Sequence, residues 1–280
     1  MLSYRHAYHA GNHADVLKHW LLVLCLQYLK QKPKPLFYLD THAGAGSYAL
    51  QEARAEKTGE YREGIGRLWS ATAIPDVFRD YLDYIHHLNP TTLRYYPGSP
   101  QLAAALLRDD DSLRLVERHP ADLDILRRNL SSDRRTGIID GDGFAQIKAL
   151  LPPQSRRGLV LIDPPYEEKA DYQRVLTALG DGLKRFATGT YLVWYPLLNS
   201  RESLKFAEQL RGLSGGDRLN VQLRVTARPE DHGMYGSGMW VINPPYMLHD
   251  QLQQGLPWLV KNLGRDEAAG FTLEAIDGGR

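Results

Sequence analysis

The chain has 280 residues, of which 43% are hydrophobic and 24% are charged, and its formal net charge is +1 at pH 7. These values are ordinary for a globular enzyme with one large domain or one domain with an insertion, and they neither favour nor exclude a nucleic-acid partner. The single cysteine, Cys25, excludes a disulfide framework and a metal site made of cysteines alone. The apolar run at residues 20–26 is too short to span a membrane and lacks the pattern of a secretory signal, so we expect a cytoplasmic protein.

The first residues predict an arm followed by a helix. Residues 1–12 are rich in His, Tyr and Gly and show no periodicity, which indicates an N-terminal arm that becomes ordered over a substrate. Asn12, with Asp15 three positions later, is typical of a helix N-cap. The apolar pattern that follows predicts a helix over 13–31, which Pro33 ends.

The charge of the N-terminal segment suits a nucleic-acid strand. Residues 1–35 carry five Lys or Arg and four His against one acid, and tyrosines are interleaved with them. His9 and His13 are four positions apart, as helical metal ligands can be, but no thiolate or carboxylate cluster accompanies them. We therefore expect no metal site.

A first buried strand is predicted over 36–41, and it leads into the glycine-containing sequence from Asp40 to Gly46. Gly44 and Gly46 at a strand-to-helix turn allow the backbone to approach a ligand closely. A G-x-G pair is weak by itself, because any tight turn of this kind can use it.

Residues 48–97 interrupt the alternation of strands and helices. They are polar and aromatic, with helical patterns near 61–70 and 75–88 and no clear strand. In doubly wound sheets an acid at the end of the second strand, about 20 residues past the glycines, binds the ribose of a cofactor. The candidate here, Glu117, follows Gly46 by 71 residues, and the gap falls to 21 if the 50 residues of 48–97 are an insertion. The spacing thus predicts a main domain of residues 1–47 and 98–280 with an inserted, mainly helical subdomain.

From residue 98 onward helices and strands alternate. The pattern predicts helices over 99–108, 120–130, 142–150, 169–186 and 200–212, and strands over 112–117, 136–140, 158–163, 189–195, 218–227 and 237–243. This alternation predicts an α/β fold with a doubly wound, Rossmann-like sheet, closed by an antiparallel strand. No motif that we can use follows residue 244.

The most informative motif is Asp163-Pro164-Pro165-Tyr166, which directly follows the apolar run 158–162. Such a run predicts a buried parallel strand, so the motif lies at the carboxyl end of that strand. The two prolines cannot continue the strand and leave a rigid turn with free carbonyls. The Asp163 carboxylate and the Pro164 carbonyl can then accept hydrogen bonds from a flat, amino-bearing ring on which Tyr166 stacks. A plain turn is the simpler interpretation, but the glycine loop at the same sheet edge favours the functional one.

Two further positions have competing interpretations. Asp142, which precedes Gly143 after the predicted third strand, either only caps a helix or also accepts from the adenine amino group of a cofactor. The sequence Asn243-Pro244-Pro245-Tyr246 matches the Asp163 motif as a string. It closes the strand that we expect to be antiparallel, so its end lies at the opposite sheet edge, and we interpret it as a turn.

Several motifs together resemble the RlmJ family of bacterial 23S ribosomal RNA adenine-N6 methyltransferases, and the similarity covers nearly the whole chain. They are Tyr4-Arg5-His6, the stretch from His9 to His19, the 40–46 loop with His42 in place of the usual Phe, Tyr95-Tyr96-Pro97-Gly98-Ser99-Pro100, and Asp163-Pro164-Pro165-Tyr166. The glycine loop and the tetrapeptide resemble those of S-adenosylmethionine-dependent amino-methyltransferases in general, whereas the N-terminal stretch is more specific.

The resemblance implies roles for individual residues. The cofactor, S-adenosylmethionine, would be contacted by His19, His42, Gly44, Gly46, Ser99, Glu117, Asp142 and Gly143. Asp163 would accept the target proton, beside Pro164 and Tyr166, while Tyr4, His6 and Lys18 close over the substrate adenine.

The implied substrate is 23S ribosomal RNA, either free of protein or in an early assembly intermediate, and we expect a monomer without a membrane partner. Three alternatives stay open: an enzyme of the same chemistry that acts on DNA adenine, one that acts on a protein glutamine, and a nucleic-acid-binding protein without catalysis. Glutamine enzymes usually have Asn in place of the Asp at position 163, so the carboxylate favours a nucleobase.

Overall fold

The computed structural model describes residues 5–213, 215–231 and 233–278 of the α/β chain. The strands are β1 (Phe37–Asp40), β2 (Ser47–Ala49), β3 (Tyr95–Pro97), β4 (Ser112–Glu117), β5 (Thr136–Asp140), β6 (Gly158–Ile162), β7 (Thr190–Leu198), β8 (Arg218–Arg224), β9 (Met234–Ile242) and β10 (Gly270–Ile276). The helices are α1 (His13–Leu29), α2 (Ala53–Thr58), α3 (Ile65–Trp69), α4 (Arg79–Leu88), α5 (Ser99–Leu106), α6 (Pro120–Leu130), α7 (Gly143–Leu150), α8 (Lys169–Arg185), α9 (Arg201–Arg211) and α10 (Leu248–Leu263).

The main sheet has eight strands in the order β10-β8-β9-β7-β6-β1-β4-β5. Strands β5, β4, β1, β6 and β7 are parallel, whereas β9 runs antiparallel to its neighbours β7 and β8, and β10 runs antiparallel to β8. The predicted doubly wound sheet with a closing antiparallel strand is therefore confirmed. All five parallel strands end at one edge, which is where ligands bind in sheets of this kind.

The sheet is buried on both faces, as the uninterrupted apolar sequence of β6 requires. Leu159 and Leu161 belong to the core cluster that includes residues of α1, α5 and α10. Val160 and Ile162, which alternate with them, belong to the cluster that includes residues of α8 and α9. This two-sided packing places the end of β6 deep in the molecule and holds the residues that follow it.

The segment 48–97 begins and ends beside a two-stranded ribbon, because β2 pairs antiparallel with β3. Between these strands lie α2, α3 and α4. The ribbon strands have three residues each, too few to produce a periodic pattern, which is why the sequence showed no strand here. Phe78 stacks on Trp20 of α1 with ring centroids 4.1 Å apart, and both belong to one core cluster. We interpret the segment as an insertion that shares its core with the main domain.

The end of the chain was not predicted. Helix α10 carries Pro257 within it and has no side-chain cap, and the strand β10 alternates only weakly between buried and exposed residues. These features remove the usual sequence signals of a helix start and of an amphipathic strand. Within the described ranges, no helix combines the length and the apolar character needed to cross a membrane.

Candidate active site

A cavity of about 410 Å³ opens at the carboxyl edge of the parallel strands. Four neighbouring strands contribute to its wall: residues 41–44 after β1, Glu117 at the end of β4, residues 141–143 after β5 and residues 163–166 after β6. The wall also includes His6 from the N-terminal arm, Lys18 and His19 from α1, and Ser99 from α5. The fold thus brings together most of the residues that the sequence marked, although they are up to 160 positions apart.

The glycine loop turns sharply above β1. Gly44 and Gly46 have φ values of +60° and +79°, which side chains rarely adopt. Gly44 lines the cavity, and a Cβ atom there would meet the Tyr48 hydroxyl at 2.2 Å. Gly46 is not among the lining residues, and a Cβ atom there would contact Leu126 of α6 at 3.0 Å. Gly44 can therefore contact a ligand, whereas Gly46 shapes the turn against α6.

Glu117 ends β4 and points at the glycine loop. Its carboxylate accepts hydrogen bonds from the Gly44 N–H at 2.7 Å and the His119 N–H at 2.6 Å. Burial raises the pKa of Glu117, while these two hydrogen bonds oppose that effect. Each carboxylate oxygen keeps a further acceptor position, so Glu117 can bind hydroxyl groups within the cavity.

Asp142 is both a helix cap and a lining residue. Its Oδ1 accepts from the Phe144 N–H at 2.9 Å and the Ala145 N–H at 3.3 Å at the start of α7. Its Oδ2 pairs with Arg174 of α8, whose guanidinium lies 4.4 Å from the centre of the Phe144 ring. Asp142 therefore caps α7 through Oδ1, and its Oδ2 is held by Arg174. Arg174 and Phe144 carried no motif, so the sequence did not mark them.

Residue 143 must be a glycine because its backbone lies very close to the backbone of the glycine loop. A Cβ atom there would lie 1.9 Å from the Thr41 carbonyl oxygen, so no larger residue fits without movement of the backbone. Next to Thr41, His42 lines the cavity and contacts Phe144 edge-on with ring centroids 4.9 Å apart. Burial lowers the pKa of His42 to about 3, so this histidine is neutral at physiological pH.

Asp40, the last residue of β1, is a buried acid that the sequence placed in the loop but assigned no role. The Tyr38 and Ser99 hydroxyls donate to its Oδ2 at 2.9 and 2.7 Å, and the His42 N–H donates to Oδ1 at 3.3 Å. Burial raises the pKa of Asp40 to about 6, and the hydrogen bonds of Ser99 and Tyr38 oppose that rise. Asp40 thus fixes the hydroxyl of Ser99, which lines the cavity.

Asp163 is held by Lys18. The Lys18 ammonium lies 2.5 Å from Oδ2 of Asp163 and 2.8 Å from Oδ1 of Asp15, one turn earlier on α1. Asp15 also accepts from the Gly11 N–H at 2.9 Å and contacts His6 Nε2 at 2.9 Å. Burial alone raises the pKa of Asp15, but the charges of His6 and Lys18 hold it well below its usual value. The sequence indicates Asp15 only as a capping acid, although its position three residues before Lys18 on one helix face signals such a pair.

Tyr166 completes the motif in an unusual backbone conformation, with φ at +52°. Its hydroxyl donates to the Trp194 carbonyl at 2.6 Å, and its ring packs against Tyr172 with centroids 4.8 Å apart. The residue is 9% exposed and, like Pro164, lines the cavity. One face of the ring is therefore covered by the aromatic cluster, which fixes Tyr166 in place before a ligand arrives.

The second copy of the motif lies away from this cavity. Asn243 follows β9, and its side-chain amide donates to the carbonyls of Ala187 and Gly189 at 2.7 Å each. Those carbonyls immediately precede β7, so Asn243 lies at the amino edge of the parallel strands. None of the residues 243–246 lines the cavity, and Tyr246 is 87% exposed. The antiparallel direction of β9 produces this separation.

The described part of the N-terminal arm begins at Arg5. Arg5 forms an ion pair with Asp122 of α6 at 2.8 Å, and His9 lies 2.9 Å from Glu60 of the insertion. His6 lines the cavity. Tyr4, to which the resemblance assigns a substrate contact, lies outside the described residues. The arm therefore bridges α6 and the insertion across one side of the cavity.

The site is rich in acids and histidines, which are potential metal ligands. Within the ranges that the structure describes, no group of three or more His, Cys, Asp or Glu side chains could hold a metal ion. The carboxylates of Asp15 and Asp163 are instead bridged by the Lys18 ammonium.

Comparison with known proteins shows similarity over almost the entire chain. A family model described as ribosomal RNA large subunit methyltransferase D, RlmJ, matches residues 33–276. A Haemophilus influenzae protein named ribosomal RNA large subunit methyltransferase J is 49% identical over 278 residues, which cover 99% of each chain. An Escherichia coli protein of the same name is 50% identical over 264 residues, which cover 94% of each chain. A crystal structure of a Legionella pneumophila protein, at 36% identity, superposes with a TM-score of 0.87 and covers 97% of this chain and 99% of that chain.

Proposed function

Because the chain belongs to the RlmJ family of ribosomal RNA large subunit methyltransferases, we propose that it transfers a methyl group from S-adenosylmethionine to the N6 amino group of an adenine in 23S ribosomal RNA. The family that the sequence motifs predicted is the family to which these relatives belong. The observation that carries the proposal is the presence of Asp163 in the same cavity as Glu117 and Asp142. A proton acceptor and the binding groups for an adenosine-containing cofactor then share one sheet edge.

The residues present fit such a cofactor. Glu117 has acceptor positions for ribose hydroxyls, and Oδ2 of Asp142, which pairs with Arg174, keeps a further acceptor position for an amino group. Next to Asp142, Phe144 offers an apolar ring for an adenine. The absence of a side chain at Gly44 leaves room for close contact, and Ser99, His42 and His19 line the remaining wall.

When bound, S-adenosylmethionine supplies an electrophilic methyl group on a sulfonium and leaves as a neutral thioether. The exocyclic nitrogen of adenine becomes positively charged as it is methylated, since its lone pair is withdrawn from the ring. The Asp163 carboxylate and the Pro164 carbonyl stabilise that charge because the strand end and the prolines fix them in advance. The proton on the methylated nitrogen then passes to Asp163, which need not be a strong base.

Lys18 acts on Asp163 rather than on the acceptor nitrogen. Its ammonium binds Oδ2 of Asp163 and leaves the other carboxylate oxygen, Oδ1, available to an amino group. Lys18 keeps its charge because the carboxylates of Asp15 and Asp163 raise its pKa against the effect of burial. We infer that Lys18 sets the orientation of Asp163 and, with His6 and Tyr4, covers the substrate adenine.

The substrate must present an adenine that is unpaired and unstacked. A base that is paired and stacked in a helix could not enter the cavity, which is recessed at the carboxyl edge of the parallel strands. We propose protein-free 23S RNA, or an early assembly intermediate, as the substrate. Residues 10–26 are buried, so of the basic segment 1–35 we propose that the arm before α1 and the exposed Lys32 and Lys34 contact phosphates. We further propose that the enzyme works as a cytoplasmic monomer, because one chain supplies all the residues named above.

The test is a methyl-transfer assay with tritiated S-adenosylmethionine. Total RNA from a strain that lacks the gene, genomic DNA and a protein extract serve as parallel acceptors, and the Asp163→Asn variant serves as the control. We expect label in 23S RNA as N6-methyladenosine, and a steep decrease of activity with salt. Label only in DNA or protein, or as a different methylated nucleoside, would falsify the proposal.

A further inference from the structure

Three buried side chains form a chain of hydrogen bonds that ends at the cavity. Tyr81 of α4 and Tyr96 of β3 approach each other with their hydroxyl oxygens 2.9 Å apart. The Tyr96 hydroxyl lies 2.8 Å from Nδ1 of His19 on α1. Tyr81 and Tyr96 are fully buried and His19 is 1% exposed. Both tyrosines belong to the inserted segment, whereas His19 lines the cavity.

The direction of these hydrogen bonds follows from counting protons. Each tyrosine hydroxyl carries one proton. Within the described part of the chain, Tyr96 is the sole hydrogen-bond partner of the Tyr81 hydroxyl, so Tyr81 must donate to Tyr96. Tyr96 then donates its own proton to its other partner, Nδ1 of His19. The opposite direction would leave the Tyr81 O–H buried and unpaired, which costs about 1–3 kcal/mol.

His19 therefore accepts at Nδ1 and carries its proton on Nε2. Burial keeps the ring neutral, since it lowers the pKa of His19 to about 3, and a neutral imidazole has one N–H group. The nearest carboxylate oxygen, Oδ1 of Asp15, is 4.0 Å from Nε2, which is too far for a hydrogen bond. That carboxylate is already bound by Lys18 and His6. The Nε2–H group is thus a donor without a protein acceptor in the described residues.

The order of the strands indicates which part of a bound cofactor lies near the Nε2–H group of His19. Asp142, Glu117 and the glycine loop follow β5, β4 and β1, which are adjacent in that order, and Asp163 follows β6 on the other side of β1. An adenosine bound at Asp142 and Glu117 directs the rest of its cofactor toward Asp163. His19 lies near that far end, because its Nε2 is 4.0 Å from Oδ1 of Asp15, the carboxylate that Lys18 bridges to Asp163.

We propose that Tyr96 and Tyr81 are positioning residues that hold His19 as an Nε2–H donor, and that this donor binds the carboxylate of the amino-acid end of S-adenosylmethionine. Through Tyr81 and Tyr96, which do not line the cavity, the inserted segment thereby contributes to cofactor binding. The identity of the ligand rests on the proposed function, whereas the direction of the hydrogen bonds rests on the protein alone.

The direction is tested by nitrogen NMR of the ¹⁵N-histidine-labelled protein without cofactor. The His19 signals are expected to show a protonated Nε2 and an unprotonated Nδ1. Tyr96→Phe removes the donor to Nδ1 and should produce a mixture of tautomers or the Nδ1–H form. Tyr81→Phe removes the group that fixes the direction of the Tyr96 hydroxyl, so it should weaken the preference for the Nε2–H form, by less than Tyr96→Phe does. An Nδ1–H tautomer in the wild-type protein overturns the proposal, and this measurement does not depend on whether any variant folds.

The ligand is tested by calorimetry with S-adenosylmethionine and with its decarboxylated form. Tyr96→Phe should weaken binding of the intact cofactor by roughly tenfold. Without the Tyr96 hydroxyl, His19 is no longer held as an Nε2–H donor, so its hydrogen bond to the charged carboxylate of the cofactor becomes weaker. Binding of the decarboxylated cofactor should change by less than about twofold. The matched control is Tyr191→Phe, which removes a buried hydroxyl bonded to the Phe186 carbonyl at 2.9 Å, away from the cavity. It should leave both affinities unchanged.

Two outcomes separate this inference from the proposed function. Equal weakening for both ligands in Tyr96→Phe would show that His19 does not bind the carboxylate and would overturn the ligand assignment. If the wild-type protein does not bind S-adenosylmethionine while His19 has the expected tautomer, the proposed function fails and the hydrogen-bond direction stands.

Discussion

Lys18 Nζ lies 2.5 Å from Oδ2 of Asp163, a residue 145 positions further along the chain. The same ammonium lies 2.8 Å from Asp15, so one cation bridges an acid of helix α1 and the acid that ends β6. Lys18 and Asp15 are almost fully buried, and their positions are set by the packing of α1 on the sheet. The proposed proton acceptor therefore has a fixed orientation before any substrate enters.

Replacement of Asp163 by Asn should abolish or greatly slow methyl transfer and leave cofactor binding nearly intact. The carboxylate matters most when the acceptor nitrogen becomes cationic, and loss of one preorganised electrostatic partner typically costs about 10²–10³ in rate. Single-turnover kinetics with RNA and calorimetry with cofactor measure the two effects separately.

The second copy of the motif offers a control for that variant. Tyr246→Ala changes a residue that is 87% exposed and outside the cavity, so turnover should stay within about twofold. Asn243→Ala loses two hydrogen bonds at the amino edge of β7 and should lower stability more than turnover. An inactive Tyr246 variant together with an active Asp163 variant would reverse our assignment of the two motifs.

Glu117→Gln should weaken binding of S-adenosylmethionine by roughly tenfold or more, because hydrogen bonds to a charged group contribute about 1.5–3 kcal/mol. The amide keeps the size of the side chain but removes the charge and one acceptor oxygen. The control is Asp140→Asn, which changes the exposed residue paired with Glu117 in the neighbouring strand β5. Calorimetry that finds equal affinities for wild type and Glu117→Gln would remove Glu117 from the cofactor site.

Arg5→Ala should reduce transfer to RNA while cofactor affinity stays the same. The ion pair with Asp122 is largely shielded from solvent, with side-chain exposures of 14% and 7%, and it anchors the arm to α6. Loss of about 1 kcal/mol in arm docking lowers the docked fraction by up to about fivefold. Arg62→Ala is the control, since Arg62 pairs with Glu56 on the exposed side of the insertion. Unchanged RNA kinetics in Arg5→Ala would mean that the docked arm has no part in the reaction.

His13 should make the protein less stable in acid. Burial first, and the charge of Arg265 second, lower the pKa of His13 to about 4, and neither ring nitrogen has a hydrogen-bond partner in the described residues. Above pH 6.5 both the folded and the unfolded states carry a neutral ring, so its effect on stability is constant. As the pH falls from 6.5 toward 4, only the unfolded state gains the proton, and the free energy of unfolding decreases.

The expected loss from His13 alone is about 2 kcal/mol between pH 7 and pH 5. Urea unfolding of wild type and His13→Leu at both pH values measures it. The variant should lose less stability than wild type over this interval, by about that amount. If the two proteins show the same pH dependence, His13 is protonated in the folded state and our account of its environment is wrong.

Much of the fold follows from local patterns. The apolar run of β6, the cap at Asn12 and the alternation after residue 98 predicted the helices and strands of the main sheet, because strand and helix periodicity is a property of neighbouring residues. The position of the 163–166 motif at the ligand edge, and of 243–246 at the other edge, followed from the same topology.

The contacts that assemble the site could not be predicted in this way. The apolar sequence of α1 indicates that the helix is buried, as residues 13–26 are, but it does not show that Lys18 meets Asp163 or that His19 meets Tyr96. These contacts join residues 77 and 145 positions apart, and they depend on how α1 packs between the sheet and the insertion. The turn of Gly46 toward α6, away from the cavity, is likewise decided by that packing. Local sequence determines the elements and their faces, whereas the relative placement of the elements determines which side chains share a hydrogen bond.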